Sequence, residues 1–195
     1  GSVRGAKRYP SLMAFSARYE DAPVPGAPAP GVRLEAPDGQ LRGSRDPDLA
    51  AWLSAQLGEA VALDASNPTT PFFDDAPLLL MTEASLEALE AMVPGGGEVR
   101  RFRPNLLLSG TGAGFPEEDW LGRRFQLGEA VLKVSKRCPR CIMTTLGFGG
   151  VPAEPAVLTT LRRARESCLG VYLEVLRPGR VQRHDALHWL KEEEI

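Results

Sequence analysis

Residues 123–136, RRFQLGEAVLKVSK, contain two runs of alternating apolar and polar residues around Leu127-Gly128-Glu129. Alternation with a period of two places successive side chains on opposite faces of a β-strand. A short connection that contains glycine joins two such runs as an antiparallel hairpin. This stretch therefore restricts its part of the chain to antiparallel β-structure.

The rest of the chain alternates between short apolar runs and turns. Residues 12–19 read as a strand, 17–31 as a proline-rich loop, and 32–41 as a hairpin with Pro37-Asp38-Gly39 as its turn. Further strands are expected in 61–64, 78–81, 101–109 and 170–176, with a return strand after the Pro178-Gly179 turn. About eight mostly antiparallel strands and three helices predict a mainly β fold, a β-barrel with peripheral helices.

Each of the three helices has sequence signals at its ends. The first is expected to begin with Asp46 as its cap and to end at Gly58. The second follows the cap Thr82, and the third spans residues 154–167. The apolar positions expected to face the core are Leu49, Trp52, Leu53 and Leu57 in the first helix, and Leu86, Leu89 and Met92 in the second.

The composition excludes several classes of protein. The 195 residues carry 23 Lys and Arg against 25 Asp and Glu, which argues against an electrostatic nucleic-acid binder. No apolar run reaches the roughly 18 residues that a membrane span needs, so we expect no membrane partner. Three cysteines cannot all pair within one chain, so we expect reduced thiols and a cytoplasmic location.

The segment KRCPRC, residues 136–141, holds two cysteines three positions apart, and its spacing allows several interpretations. Zinc is one, because His184 and His188 have the spacing of a zinc finger's histidine pair. However, 42 residues separate Cys141 from His184, where a finger has about 12 to 15. A thioredoxin-like disulfide is another, but two threonines and three glycines follow the pair and form a poor helix.

A third interpretation is a lone thiolate in a basic pocket. Cationic side chains surround the pair and favour a thiolate over a thiol, and they also hold anionic cofactors. The cations are Lys133, Lys136, Arg137 and Arg140, with Arg101 and Arg103 on a segment that can neighbour them. The spacing is equally compatible with two partly buried strand cysteines among solvated arginines.

Several ordered blocks of sequence resemble the MOSC domain, named after the C-terminal domain of molybdenum cofactor sulfurase. These blocks are FFDDAPLLLMTEASLEAL, RFRPNLLLSG, GFPEEDW, LGEAVLKVSKRCPRCIMTT and CLGVYLEVLRPGRV. They cover residues 72–189 and are most similar to bacterial MOSC reductases and the mitochondrial amidoxime reducing component. The resemblance implies a MOSC-type β-barrel in residues 72–195, preceded in residues 1–71 by the end of a MOSC N-terminal-like region.

The resemblance assigns roles to individual residues. Cys141 matches the cysteine that binds molybdenum, and this makes it the predicted catalytic and metal residue. Arg103 and Asn105 match residues that hold the pterin, Asp74 matches an acidic position at the cofactor pocket, and Arg140 matches a residue near the cofactor's phosphate. A dithiolene, a phosphate and one soft thiolate ligand are chemically consistent with these side chains. Cys138 then has no required role, and Cys168 is expected in the core.

The implied cofactor is molybdenum in its pterin form (molybdopterin). The implied activity is reduction of N-hydroxylated compounds with electrons from a separate reductase, since the chain contains neither ferredoxin-type cysteines nor a dinucleotide fingerprint. The alternative is a carrier that holds sulfur or cofactor on Cys141 without turnover. The resemblance also implies pyridoxal phosphate binding, but only as a general property of the family and not through any residue of this chain.

The chain also departs from the family pattern. A Pro-Val-Lys-Ser motif and a later arginine that hold the phosphate in relatives have no counterpart here, so we expect either a truncated start or an incomplete cofactor site. Leu146-Gly147-Phe148 and His184-Asp185 replace the family's Val-Asp-Pro and Gly-Asp.

Glu117 and Glu118 are interpreted as solvated, and Trp120 as an anchor at the barrel edge. The glycines of residues 147–150 suit either a close approach to the cofactor or a simple turn.

Overall fold

The computed structural model describes residues 8–24, 27–63 and 75–191. These residues contain nine strands and three α-helices, which confirms the mainly β fold. The strands are β1 (Ser16–Tyr19), β2 (Val32–Glu35), β3 (Leu41–Gly43), β4 (Leu78–Thr82), β5 (Leu106–Leu108), β6 (Arg124–Leu127), β7 (Ala130–Pro139), β8 (Cys168–Arg177) and β9 (Leu187–Trp189). The helices are α1 (Leu49–Leu57), α2 (Glu83–Met92) and α3 (Pro155–Arg165).

The chain forms two compact units. The first comprises residues 1–71 together with 147–152, and the second comprises 72–146 with 153–195. In the first unit, β1, β2 and β3 form an antiparallel sheet, and α1 supplies Leu49, Trp52 and Leu53 to a small core. Among its described residues, 61–63 form no strand, so the strand predicted for 61–64 is absent there, and Asp64 lies outside the described residues.

The hairpin and helix of the first unit follow the predicted order with one shift. The turn of the β2–β3 hairpin contains Gly39 at φ 83°, a left-handed conformation that glycine adopts without steric cost. Helix α1 begins at Leu49 and not directly after Asp46, because the Asp46 carboxylate accepts a hydrogen bond from the Gly43 N–H at 2.7 Å. The side chain expected to cap the helix closes the preceding turn instead. Gly58, at φ 69°, ends α1 as predicted.

The second unit is built on a six-stranded sheet with the order β5-β4-β8-β7-β6-β9. All neighbours are antiparallel except the parallel pair β4–β5. Three register shifts interrupt the long β7–β8 pair, and such bulges increase strand twist and bend a sheet. The sheet curls into a half-barrel, and the predicted hairpin is present as β6–β7, with β7 continuing to Pro139.

Both faces of this sheet are covered by apolar side chains. Successive residues of β4 alternate between two clusters: Leu79 and Met81 pack with α2 and α3, while Leu80 packs with Phe125 on the other face. A strand buried on both faces needs a continuous apolar run, which explains the sequence LLLM. Gly170 of β8, at φ 76°, lies so close to β4 that a Cβ there would be 2.7 Å from Met81 Cγ and 2.8 Å from the Leu80 carbonyl oxygen.

Helix α2 has the predicted cap and most of the predicted core face. The Thr82 hydroxyl accepts a hydrogen bond from the Ser85 N–H at 3.1 Å, and Leu86 and Leu89 are buried. Met92 is 42% exposed, so its predicted core position is wrong. It is the last residue of the helix, where the chain turns away through Val93.

Candidate functional site

The two cysteines of the pair lie in different environments at the end of β7. Cys138 is 1% exposed and belongs to the core, whereas Cys141 is half-buried and caps a short 3₁₀ turn, Ile142–Thr145. We use the name cysteine corner for Cys138, Arg140 and Cys141 together with Phe102 and Arg103, which lie beside them.

The two threonines after Cys141 stabilise this turn. The Thr144 hydroxyl donates to the Cys141 carbonyl at 2.9 Å, and the Thr145 hydroxyl donates to the Ile142 carbonyl at 2.7 Å. Short hydroxyl side chains commonly satisfy backbone carbonyls in this way, so the Thr-Thr pair has a local structural cause. The turn has only four residues, and the helix that a thioredoxin-like site requires does not follow the pair.

All three cysteines are free thiols. Within the described ranges no group of three His, Cys, Asp or Glu side chains is placed to hold a metal ion, which leaves the zinc interpretation without support. His184 lies in a turn at φ 73°, and His188 lies in β9. The Cys141 Sγ makes no hydrogen bond to any residue that the structure describes, so its thiol is available to a ligand.

Cys138 is held by the side chain of Arg140. Nη1 of Arg140 donates to the Cys138 Sγ at 2.9 Å. Burial, followed by the interaction with the neighbouring Cys138, raises the pKa of Tyr172 well above its ordinary value. Cys138 therefore acts as a packed and hydrogen-bonded core residue.

The Arg140 guanidinium points into the protein. Besides Cys138, it donates from Nη2 to the Phe102 carbonyl at 3.0 Å and lies 5.1 Å from the centre of the Phe102 ring. The contact of Arg140 with a phosphate stays a prediction, and the observed bonds support a structural role for this side chain. They also join Phe102, the neighbour of Arg103 in the chain, to Arg140, the neighbour of Cys141.

Arg103 is the cation that this region presents to solvent. Its side chain is exposed and makes no hydrogen bond or ion pair with the described residues. Its backbone has φ 54°, a left-handed conformation that costs a non-glycine residue about 1 kcal/mol, and its N–H donates to the Val99 carbonyl at 3.2 Å. Strain at a non-glycine residue is a feature that clusters at functional sites.

Asn105 joins two strands. Its Oδ1 accepts from the Leu79 N–H at 2.8 Å, and its own N–H donates to the Leu79 carbonyl at 2.9 Å. The side-chain oxygen of Asn105, a residue predicted to hold the pterin, thus aligns β4 with the start of β5. Asp74 lies outside the described residues, whereas its neighbour Asp75 pairs with Lys136 at 2.7 Å.

Glu117 was interpreted as solvated, and this is wrong. Its carboxylate is fully buried and accepts hydrogen bonds from the Ser85 hydroxyl at 2.6 Å and the Thr82 hydroxyl at 2.8 Å. Burial raises the pKa of Glu117, and the hydrogen bond from Ser85 opposes this shift only in part. The sequence signal was the position of the glutamates between two aromatic residues, Phe115 and Trp120, which pack inward on either side.

Glu118 is also not freely solvated. It is half-buried and forms ion pairs with Arg137, at 3.3 Å, and with Arg165. Arg165 lies in turn 3.9 Å from the centre of the Phe115 ring.

Cys168, which was expected in the core, is only half-buried at the start of β8, and burial raises its pKa.

The fold and the site together define a class of protein: a β half-barrel domain that carries one candidate ligand cysteine, Cys141, just after strand β7. The MOSC domain family matches residues 67–188, more than half of the chain, and the chain therefore belongs to the MOSC domain family. The match includes the cysteine corner and all six strands of the half-barrel except part of β9.

Several relatives share stretches of sequence with this chain. Mitochondrial amidoxime-reducing component 1 of Xenopus laevis is 38% identical over 95 residues, 48% of this chain and 27% of the relative. Its counterpart in Mus musculus is 30% identical over 132 residues, 61% of this chain and 38% of the relative. Molybdenum cofactor sulfurase of Drosophila willistoni is 28% identical over 135 residues, 64% of this chain and 17% of the relative. The matches thus span less than half the length of these relatives.

Solved structures give a more distant similarity. YiiM from Geobacillus stearothermophilus superposes with a TM-score of 0.44 and 20% identity, covering 60% of this chain and 55% of that one. YiiM from Escherichia coli gives a TM-score of 0.44 and 18% identity, with the same shares of 60% and 55%.

The family is associated with the molybdenum cofactor, and two side chains of the cysteine corner fit that group. The Cys141 thiol supplies the soft donor that molybdenum takes, and the exposed Arg103 guanidinium suits an anionic pterin substituent. Arg140 and Asn105 fit less directly, because their polar atoms already bond within the protein. No helix among the described residues has the length and apolarity to cross a membrane.

Proposed function

We propose that this chain is a molybdenum-cofactor-dependent oxidoreductase that reduces N-hydroxylated compounds such as amidoximes. The observation that carries the proposal is the available, half-buried Cys141 thiol. Its neighbour Arg140 bonds to Phe102, the residue before the exposed Arg103. The names of the amidoxime-reducing relatives support the reaction class. Electrons would come from a separate reductase, and a cytoplasmic location is part of the same proposal.

Cys141 and Arg103 would hold the cofactor, the first as a ligand to the metal and the second as a cation for its anionic part. When bound, molybdenum would supply the two-electron couple for this reduction, and the overall reaction would use two electrons and two protons and release water. The protein's task is therefore to place the thiol and to leave it accessible.

Positioning of the thiol depends on groups inside the fold. The Thr144 hydroxyl and N–H both bond to the Cys141 carbonyl, at 2.9 and 3.2 Å, and fix the backbone from which the thiol projects. Arg140, the residue before Cys141, is itself fixed because its side chain bonds to both Cys138 and Phe102. Bonds of this kind keep a ligand within the narrow geometry that a metal site needs. No side chain at the corner is required as a general base, because water can deliver protons to a thiol that is only half-buried.

Replacement of Cys141 tests the proposal. Protein produced in a host that makes the cofactor should contain molybdenum by elemental analysis and should reduce benzamidoxime with an artificial electron donor. We expect Cys141→Ala to lose both, because the metal loses its only ligand from the protein at this corner. Cys168→Ala, which removes another half-buried thiol, is the matched control and should keep both, and Cys138→Ala should keep most of the molybdenum.

The outcomes separate the candidate functions. Full reduction by Cys141→Ala with molybdenum still bound would overturn the proposal. Bound molybdenum or a persulfide on Cys141 without any turnover would favour a carrier, for which the similarity to molybdenum cofactor sulfurase is the supporting observation. Zinc in place of molybdenum, lost from both Cys138→Ala and Cys141→Ala, would favour a metal clip.

A further inference from the structure

A cleft of about 960 Å³ lies in the second unit, between the two edge strands of the half-barrel. We use the name aromatic cleft for it. Its walls are β5 with the loop that follows, the end of the chain around β9, the start of α2, and Trp120. Its volume is in the range of pockets that hold small organic molecules. No side chain of the cysteine corner lines it, so it is a separate site.

Two tryptophans form one wall of the aromatic cleft. Trp120 and Trp189 contact each other edge to face, with ring centres 5.3 Å apart, and both line the cavity. The Arg123 guanidinium lies 3.7 Å from the centre of the Trp189 ring. One face of the Trp189 ring is therefore covered by a planar cation, the kind of group that an indole ring attracts.

The Glu83 carboxylate is the charged group of the aromatic cleft that favours a cationic ligand. The lining carries two carboxylates, Glu83 and Asp185, together with the Arg183 guanidinium and His184, and the Arg123 guanidinium on the Trp189 ring balances the count. Asp185 accepts a hydrogen bond from the Gln182 N–H at 2.7 Å. The exposed Glu83 carboxylate makes no hydrogen bond or ion pair with the residues that the structure describes.

Thr111 adds a neutral hydrogen-bonding group. Its hydroxyl oxygen is buried and has no partner among the described residues, and the residue lines the aromatic cleft. A buried hydroxyl without a partner costs free energy, which a ligand N–H recovers by donating to it. Glu83 and Thr111 thus provide acceptors beside two aromatic rings, the combination that suits a flat molecule rich in N–H donors.

We propose that the aromatic cleft binds a flat organic cation, an aromatic ring that carries an amidinium, guanidinium or protonated amine. The ring stacks against the tryptophans, and the charged head pairs with Glu83. The proposal is independent of the reduction proposed above, because the two sites share no residue and the binding needs no cofactor.

Three probes of nearly the same shape test the charge preference. Benzamidine is cationic, benzamide is neutral and benzoate is anionic. The chain has three tryptophans, Trp52, Trp120 and Trp189, so in a Trp52→Phe background the fluorescence reports only on the aromatic cleft. We expect saturable quenching by benzamidine, binding of benzamide about tenfold weaker, and no binding of benzoate. Calorimetric titration of the unmodified protein checks that the substitution has not altered the result.

Substitution of the carboxylate makes the assignment specific. Glu83→Gln should weaken benzamidine binding about fivefold to tenfold and leave benzamide binding unchanged. Glu87→Gln, one turn later on α2 and also exposed but outside the cleft, is the matched control and should bind like the parent. Equal affinity for benzamidine and benzamide, or an unchanged benzamidine affinity in Glu83→Gln, would overturn the proposal.

Discussion

The cysteine corner and the aromatic cleft use polar side chains in opposite ways. At the corner most polar atoms bond within the protein: Arg140 to Cys138 and Phe102, and the threonines after Cys141 to the backbone. One thiol and one exposed guanidinium remain for a ligand among the described residues. In the cleft, neither the exposed Glu83 carboxylate nor the buried Thr111 hydroxyl has a partner among the described residues. The internal bonds of the corner thus hold one ligand thiol in a fixed position, whereas the cleft offers unpartnered polar groups to a ligand.

The first prediction concerns the internal bonds of the corner and has the largest expected effect on stability. Arg140→Met should lower the free energy of unfolding by about 2–3 kcal/mol, because it leaves the Phe102 carbonyl and the Cys138 thiol without their donor. Urea denaturation measures the change. Arg162→Met removes an exposed arginine from α3 and should change the free energy by less than about 0.5 kcal/mol. A loss no larger in Arg140→Met than in this control would show that the corner is not fixed in the way described.

The second prediction concerns Glu117, which ties together two walls of the aromatic cleft. It lies in the same 3₁₀ turn as Trp120 and bonds to Thr82, the residue before Glu83. Burial raises the pKa of Glu117 above 4.5, so the folded protein holds its proton to higher pH than the unfolded chain does. The unfolding free energy of the parent should therefore fall, relative to Glu117→Gln, as pH rises from 4.5 through the folded-state pKa. The slope should be at most about 1.4 kcal/mol per pH unit.

Urea denaturation of both proteins between pH 4.5 and 8 checks this second prediction. Glu87→Gln, which removes an exposed carboxylate from α2, should follow the parent over the whole range. Parallel curves for the parent and Glu117→Gln would contradict the shift of the Glu117 pKa.

The third prediction has the smallest effect on stability and separates binding from folding at the corner. Arg103→Ala should change the free energy of unfolding by less than about 0.5 kcal/mol, since the side chain is exposed and without described partners. Arg103→Gly should raise it by about 1 kcal/mol, because glycine adopts φ 54° without strain. Both variants should contain less molybdenum than the parent by elemental analysis. Normal molybdenum content in both would remove Arg103 from the cofactor site.

The sequence predicted elements that local rules control. The β6–β7 hairpin, the Thr82 cap and the Gly58 helix end all depend on residues within a few positions of one another, and each is present. The start of α1 was misplaced because the Asp46 carboxylate had two possible donors, the helix N–H groups and the Gly43 N–H. In the structure it accepts from Gly43, within the turn before the helix. Local pattern alone does not rank such competing hydrogen bonds.

The functional predictions depended on contacts that are distant in sequence. Nothing near Glu117 in the chain distinguishes it from Glu118, yet Thr82 and Ser85, more than thirty positions earlier, enclose it. The inward course of Arg140 likewise depends on Phe102. The aromatic cleft was not predicted, because it joins β5, α2 and β9, which are far apart in sequence and are brought together only by the curl of the sheet.

The half-barrel has a consequence for how the protein behaves at high concentration. Within the described residues its sheet ends at β5 and β9, and each of these strands is only three residues long. Long exposed edges recruit strands from other molecules and lead to aggregation, whereas edges this short offer too few backbone groups to hold a foreign strand. The open sheet can therefore keep a cleft between its edges without becoming a template for self-association.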